Sequence, residues 1–214
     1  MKYLFIATFW ISTLIHLYAS KEKNTKLRNY SKPFILPSLL GMYVCSTENV
    51  LWSAVLAFIF SWLGDLFLIG KGVKWFSVGG VAFMISHFFF MISYSYDIPF
   101  DQVNIFLFLG IFLFYVTIVS FIFKELKKHL PKPLVIPMFF YLSINGLMNC
   151  FSLIRLISNV TTSNIITFIG ATLFFISDSI LFFVRFNKNS RFKTHFWVMF
   201  TYSIGEFLIA LGLI

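Results

Sequence analysis

Eight apolar runs of about 14 to 23 residues, separated by short polar loops, take up most of this 214-residue chain. They fall at roughly 3–19, 33–46, 49–69, 75–94, 103–123, 134–156, 165–184 and 195–213. A bilayer core about 30 Å thick is crossed by about 20 apolar residues in a helix. Within it the backbone has no water to bond, so helices that satisfy their own N–H and C=O groups are the natural solution. The pattern predicts an all-α, polytopic membrane helical bundle with eight transmembrane helices, forming a single integral membrane domain over 1–214. With 59% apolar and 12% charged residues, the chain cannot clothe a soluble domain of this size. Little sequence is left outside the runs, so any chemistry has to occur within the bundle.

The loops are strongly asymmetric in charge. Lys21, Lys23, Lys26, Arg28 and Lys32 follow the first run; Lys71 and Lys74 the third; Lys124, Lys127, Lys128 and Lys132 the fifth; Arg185, Lys188, Arg191 and Lys193 the seventh. Those alternate loops hold 15 of the 17 basic residues, leaving Lys2 and Arg155 for the other side. By the positive-inside rule they face the cytoplasm, with both termini external, as expected for a multi-pass protein of the cell membrane. Topology thus accounts for the net charge of +9, and no nucleic-acid partner is implied. Tyr18-Ala19-Ser20 after an apolar run would also suit a cleavable leader, whose removal would invert this arrangement. Cys45 and Cys150 lie within predicted spans and suggest neither a disulfide framework nor a metal site.

Ionisable groups inside the runs carry the functional signal, since a carboxylate in hydrocarbon needs a partner or a wet cavity. Asp65 lies near the end of the third run and Asp178 near the end of the seventh, each roughly 5 to 10 Å below the cytoplasmic interface. Ser61 shares a helical face with Asp65, Ser177 adjoins Asp178, and Tyr141 and Tyr202 reach a similar level. His87, Asn145 and Glu206 form a second polar layer near the midplane. Tyr141, Asn145 and Asn149 recur every four residues, as do Tyr202 and Glu206, so each set makes one stripe. Plainer readings pair Asp65 with Lys71 and Asp178 with Arg185, make His87 a packing residue, and treat Asn and Ser as interhelical glue. A midplane Glu206 cannot snorkel to water and is harder to explain that way.

A short repeat accompanies the acids. Lys32-Pro33 with Pro37 opens the second predicted helix, and Lys132-Pro133 with Pro137 opens the sixth. That four-helix offset is what two parallel repeats would show, although Pro at a helix start and a Lys flank are common in themselves. Other chemistries lack their parts. No His pair shares a helical face to ligate zinc, neither Ser61 nor Ser177 has a base at its own depth, and no glycine-rich phosphate cradle is present. Neither a metal nor an organic cofactor is expected. Paired carboxyls in a dry setting suit acid chemistry.

The order Ser61-x-x-Gly64-Asp65-x-x-Leu68, Phe76-x-x-Gly79-x-x-Ala82-Phe83-x-x-x-His87, Phe174-x-x-Ser177-Asp178-x-x-Leu181 and Tyr202 resembles the YhhN family of integral membrane lysoplasmalogenases. The resemblance covers nearly the whole chain and departs from the family pattern at Glu206, where a Gln is expected. It implies hydrolysis of the vinyl ether bond of lysoplasmalogens, giving a fatty aldehyde and glycerophosphocholine or glycerophosphoethanolamine, with Asp65 and Asp178 as catalytic residues. Such a reaction protonates the alkene and stabilises an oxocarbenium ion, so it needs one protonated carboxyl and one negative charge. Ser61, His87, Tyr141, Asn145, Ser177, Tyr202 and Glu206 would support the pair, and Lys71, Lys74, Arg185 and Lys188 could meet a lysophospholipid headgroup at the cytoplasmic leaflet. The rival reading from the same residues is a proton-coupled lipid or small-molecule transporter.

Overall fold

The computed structural model describes residues 1–187 and 195–214. Among them are eight α-helices and no strand: α1 (Lys2–Lys21), α2 (Thr25–Ser46), α3 (Trp52–Phe67), α4 (Val73–Ser95), α5 (Ile105–Leu126), α6 (Val135–Ser158), α7 (Thr162–Phe186) and α8 (Phe196–Gly212), with a 3-10 turn at Lys132–Leu134 leading into α6. Five helical segments are long and apolar enough to cross a membrane: α1, α4, α5, the turn with α6, and α7. The helices α3 and α8 are apolar but shorter. At 16 residues and a rise of about 1.5 Å per residue, α3 reaches only about 24 Å.

The second helix corrects the sequence expectation. It begins at Thr25, not at Pro33, so both prolines lie inside it. Asn24 caps the new start, its side chain accepting from the Leu27 N–H at 3.1 Å. Pro37 has no N–H for the Pro33 carbonyl four residues back, and the Trp62 indole of α3 donates to that carbonyl instead at 3.0 Å. The proline pair therefore becomes an α2–α3 junction. In the other half, Pro133 lies in the 3-10 turn and Pro137 in the first turn of α6, so the two Lys-Pro segments occupy different places in their helices.

Helix neighbours close into a ring. α1 packs on α2, α2 on α3, α3 on α4, α4 on α6, α6 on α7, α7 on α8, and α8 back on α1. α5 lies outside the ring against α6 and α7; it is the most apolar of the long helices and the least buried. Between helices in lipid the hydrophobic effect offers little, so small residues and polar contacts matter more. Ser53 and Ser93 join α3 to α4 at 2.8 Å, and the Ser177 hydroxyl donates to the Val198 carbonyl at 2.8 Å, tying α7 to α8. At the end of the bundle where α4, α6 and α8 finish, Arg155 donates to Asp97 Oδ2 at 2.5 and 2.9 Å, to Thr167 Oγ1 at 2.9 Å and to the Gly212 carbonyl at 3.4 Å.

α7 and α8 approach closely where Gly170 and Gly205 face each other. A Cβ on Gly170 would lie 2.7 Å from the Gly205 carbonyl oxygen and 2.8 Å from the Ile209 nitrogen, both backbone atoms that cannot swing away. Gly170→Ala is expected to force the helices apart and cost about 1–3 kcal/mol, read as a lower melting temperature of the purified protein. The same substitution at Gly110 of α5, which has open space where its Cβ would go, leaves stability nearly unchanged.

Candidate active site

Asp65, near the end of α3, and Asp178, in the last third of α7, line one cavity at the end of the bundle opposite the Arg155 cluster. It encloses about 80 Å³, room for several waters, since about 10–15 Å³ of such space holds one. Both carboxyls are almost wholly buried, with Asp65 2% and Asp178 4% exposed. Phe76, Phe83, Ser177, Leu181 and Tyr202 complete the inner wall, and Arg28, Lys32, Arg185 and His195 stand around the same space.

The two acids differ sharply in their partners. Asp65 Oδ1 is ion-paired to Lys32 Nζ at 2.9 Å, while its Oδ2 has no hydrogen bond. Among the described residues no lysine or arginine pairs with Asp178. Its Oδ2 accepts from the Tyr141 hydroxyl at 2.5 Å and from Asn145 Nδ2 at 2.7 Å, and His87 Nε2 lies 3.4 Å from the same oxygen without hydrogen-bond alignment. Both of these donors are held by Oδ2, and Oδ1 takes neither. Asn149 continues the stripe, its amide donating to the Asn145 carbonyl at 3.2 Å. The His87 ring is set edge-on between Phe174 and Tyr141.

These contacts revise the two-layer picture. His87 and Asn145 do not form a separate midplane layer; both converge on Asp178. Counting residues from a helix end measures depth only for untilted helices, and α7 runs on to Phe186, which sets Asp178 deeper than the sequence estimate. Ser61 pairs with Ser86 at 2.7 Å. Tyr202 neighbours both Asp65 and Glu206, yet its hydroxyl makes no hydrogen bond of ordinary geometry, and neither do the Glu206 oxygens. Glu206 is fully buried behind the cavity wall. The plainer pairings are also replaced: Asp65 meets Lys32, not Lys71, and Arg185 lies over the Phe76 ring at 5.8 Å rather than on Asp178. Lys71 and Lys74 are exposed and do not line the cavity, and Lys188 falls outside the described residues. Among the described residues no group of three or more His, Cys, Asp or Glu side chains is arranged to hold a metal ion.

A family profile matches residues 27–213. The chain belongs to the YhhN family. No curated protein and no solved structure matches it. The YhhN match begins inside α2, so α1, which lends His16 to the cavity wall, lies outside the matched range. Arg185 of the basic rim is legible in the sequence of this YhhN chain as a headgroup candidate, whereas Arg28, Lys32 and His195 are not. The charge pattern puts Arg28 and Lys32 in a loop, but the early start of α2 places them one turn apart on a helix. Asn24 followed by Arg28-x-x-x-Lys32 was the available signal: a cap residue, then two cations on one face. His16 Nδ1 and the Ser31 hydroxyl, 3.1 Å apart, fix this stem against α1.

The rim also sets a pH response. Burial, followed by the charges of Arg28, Lys32 and Arg185, pushes the His195 imidazole down from its ordinary 6.5 to about 4. Above pH 6.5 both folded and unfolded chains hold it neutral. Between 6.5 and about 4 the unfolded chain takes up a proton that the folded one refuses, so stability falls as the pH drops. Thermal melts at stepwise lower pH should show this decline, and His195→Asn should make it shallower.

Proposed function

We propose that this protein is a lysoplasmalogenase, an ether hydrolase that cleaves the vinyl ether of a lysophospholipid with Asp178 as general acid and Asp65 as the countercharge. The observation that carries the reading is the asymmetry of the two carboxyls: one ion-paired to Lys32, the other holding both donors on a single oxygen. Membership of the YhhN family supports the same class of reaction.

The steps balance as follows. Asp178 Oδ1–H gives its proton to the alkene carbon distal to the ether oxygen, leaving an oxocarbenium ion. Tyr141 and Asn145 take up the charge that forms on the carboxylate. Asp65, ion-paired to Lys32, stabilises the cation as a carboxylate and accepts a proton from the water that attacks the ether-bearing carbon. The resulting hemiacetal collapses: its hydroxyl proton returns to Asp178, Asp65 protonates the departing glycerol oxygen, and an aldehyde leaves. Each carboxyl ends in its starting state. The logic is that of carboxyl pairs in glycoside hydrolysis.

We further infer that all eight helices cross the bilayer, that the basic rim faces the cytoplasmic leaflet, and that both termini are external. Fourteen residues of α2 beyond the stem, and the short α3 and α8, complete the ring as tilted or thinned spans. Arg28 and Arg185 then stand where a lysophospholipid phosphate would lie. Purified protein given a lysoplasmalogen in detergent should release fatty aldehyde in proportion to enzyme. If no aldehyde forms while lipid flux into proteoliposomes follows a proton gradient, the transporter reading replaces this one.

A further inference from the structure

A single-chain amphiphile whose headgroup meets Arg28 and Arg185 and whose ether reaches Asp178 still has to accommodate a long hydrocarbon tail. The aspartate cavity is too small to hold one at about 80 Å³. A second depression of about 140 Å³ lies between α4 and α6, with Phe182 of α7 behind it. Its surface is almost entirely apolar, and Val81 on its lip is 49% exposed. Gly80 keeps it open: a Cβ there would have Tyr141 Cδ2 as its nearest neighbour at 3.9 Å, which is ordinary contact.

This groove and the aspartate cavity are neighbours across one layer of rings. Phe76 lines both spaces, and Tyr141, on the groove wall, is the residue that donates to Asp178. Phe182 meets Phe76 and Tyr141 edge-on, with ring centroids 6.0 and 5.2 Å apart. Among the described residues, two apolar depressions beside α5 share no lining residue with the aspartate cavity. We propose that the α4–α6 groove is the lateral port through which the alkenyl chain of the lipid passes from the bilayer to Asp178, with Phe182 as the ring that turns aside. This rests on the hydrolase reading above. It adds a binding site for a single extended hydrocarbon chain and predicts that chain length is sensed at Gly80.

The test compares long-chain and short-chain alkenyl lysolipids. Gly80→Phe, which fills the groove, should lower kcat/KM for the long chain by about tenfold or more, while the short chain, which needs no port, is turned over as in the parent. Gly110→Phe, the same change on the outer face of α5, should leave both alike. Equal retention of both substrates by Gly80→Phe would overturn the port, as would equal loss of both in a protein with parental thermal stability. A second measurement uses the unaltered protein and reads binding alone: a lysolipid with a photoreactive group at its chain terminus should label α4 or α6 around Val81, Met84 and Met138. Labelling confined to α5 would refute the proposal. If the parent binds and labels in the groove but releases no aldehyde from either lipid, the hydrolase reading fails and the chain site stands.

Discussion

Asp178→Asn should reduce aldehyde release by about 10²- to 10⁴-fold, the range for losing a general acid, without unfolding the protein. An amide keeps the shape of the carboxyl, and its oxygen can still accept from Tyr141 and Asn145, so the α6–α7 contact survives. What it cannot do is deliver a proton from the position of Oδ1. Tyr141→Phe tests the same idea from the other side. It removes one donor to Asp178 Oδ2, so turnover should fall by about tenfold or more while substrate binding changes little, because the lost hydrogen bond matters most when charge develops on the carboxylate. Steady-state kinetics and thermal melts on each variant separate these effects. Unimpaired turnover by Asp178→Asn would leave the reaction without its acid.

Lys32→Met should be the most disruptive single change to the site. It leaves Asp65, 2% exposed, without its counter-ion, and stranding one member of a buried pair costs about 3–5 kcal/mol. Turnover should also vanish, since Asp65 can escape that cost only by giving up the charge the oxocarbenium ion requires. The double variant Lys32→Met/Asp65→Asn separates the two consequences. With neither charge present, stability should return most of the way to the parent, because a neutral pair in that position is not penalised, yet activity should stay absent. Losses in stability that simply add in the double variant would mean that Lys32 and Asp65 do not act as a pair.

The eight-helix layout could be read from sequence because a bilayer dictates the length and composition of any helix that crosses it. Eight apolar runs became eight helices, and two acids inside them were conspicuous because hydrocarbon makes a carboxylate costly. The extra turns of α2 could not be read the same way. A basic segment beside an apolar run is what the positive-inside rule demands, so Arg28 and Lys32 looked like topology, and Pro33 looked like a start. Only the capping asparagine and the four-residue spacing of the cations hinted otherwise. The convergence of His87 and Asn145 on Asp178 was hidden for another reason. It depends on how α4, α6 and α7 tilt around one another, and tilt is set by packing that a one-dimensional depth estimate does not contain. α5 stands outside the ring as the most apolar of the long helices, and it contributes no side chain to the aspartate cavity.

The most direct measurement is hydrolysis of a lysoplasmalogen in D2O with immediate trapping of the aldehyde. Transfer of a proton from an Asp178 carboxyl equilibrated with solvent to the distal alkene carbon predicts a single deuterium on the carbon next to the aldehyde group, formed by the parent protein and at background level by Asp178→Asn. Aldehyde released by the parent without that deuterium, or labelled equally by the Asn variant, would contradict the central claim.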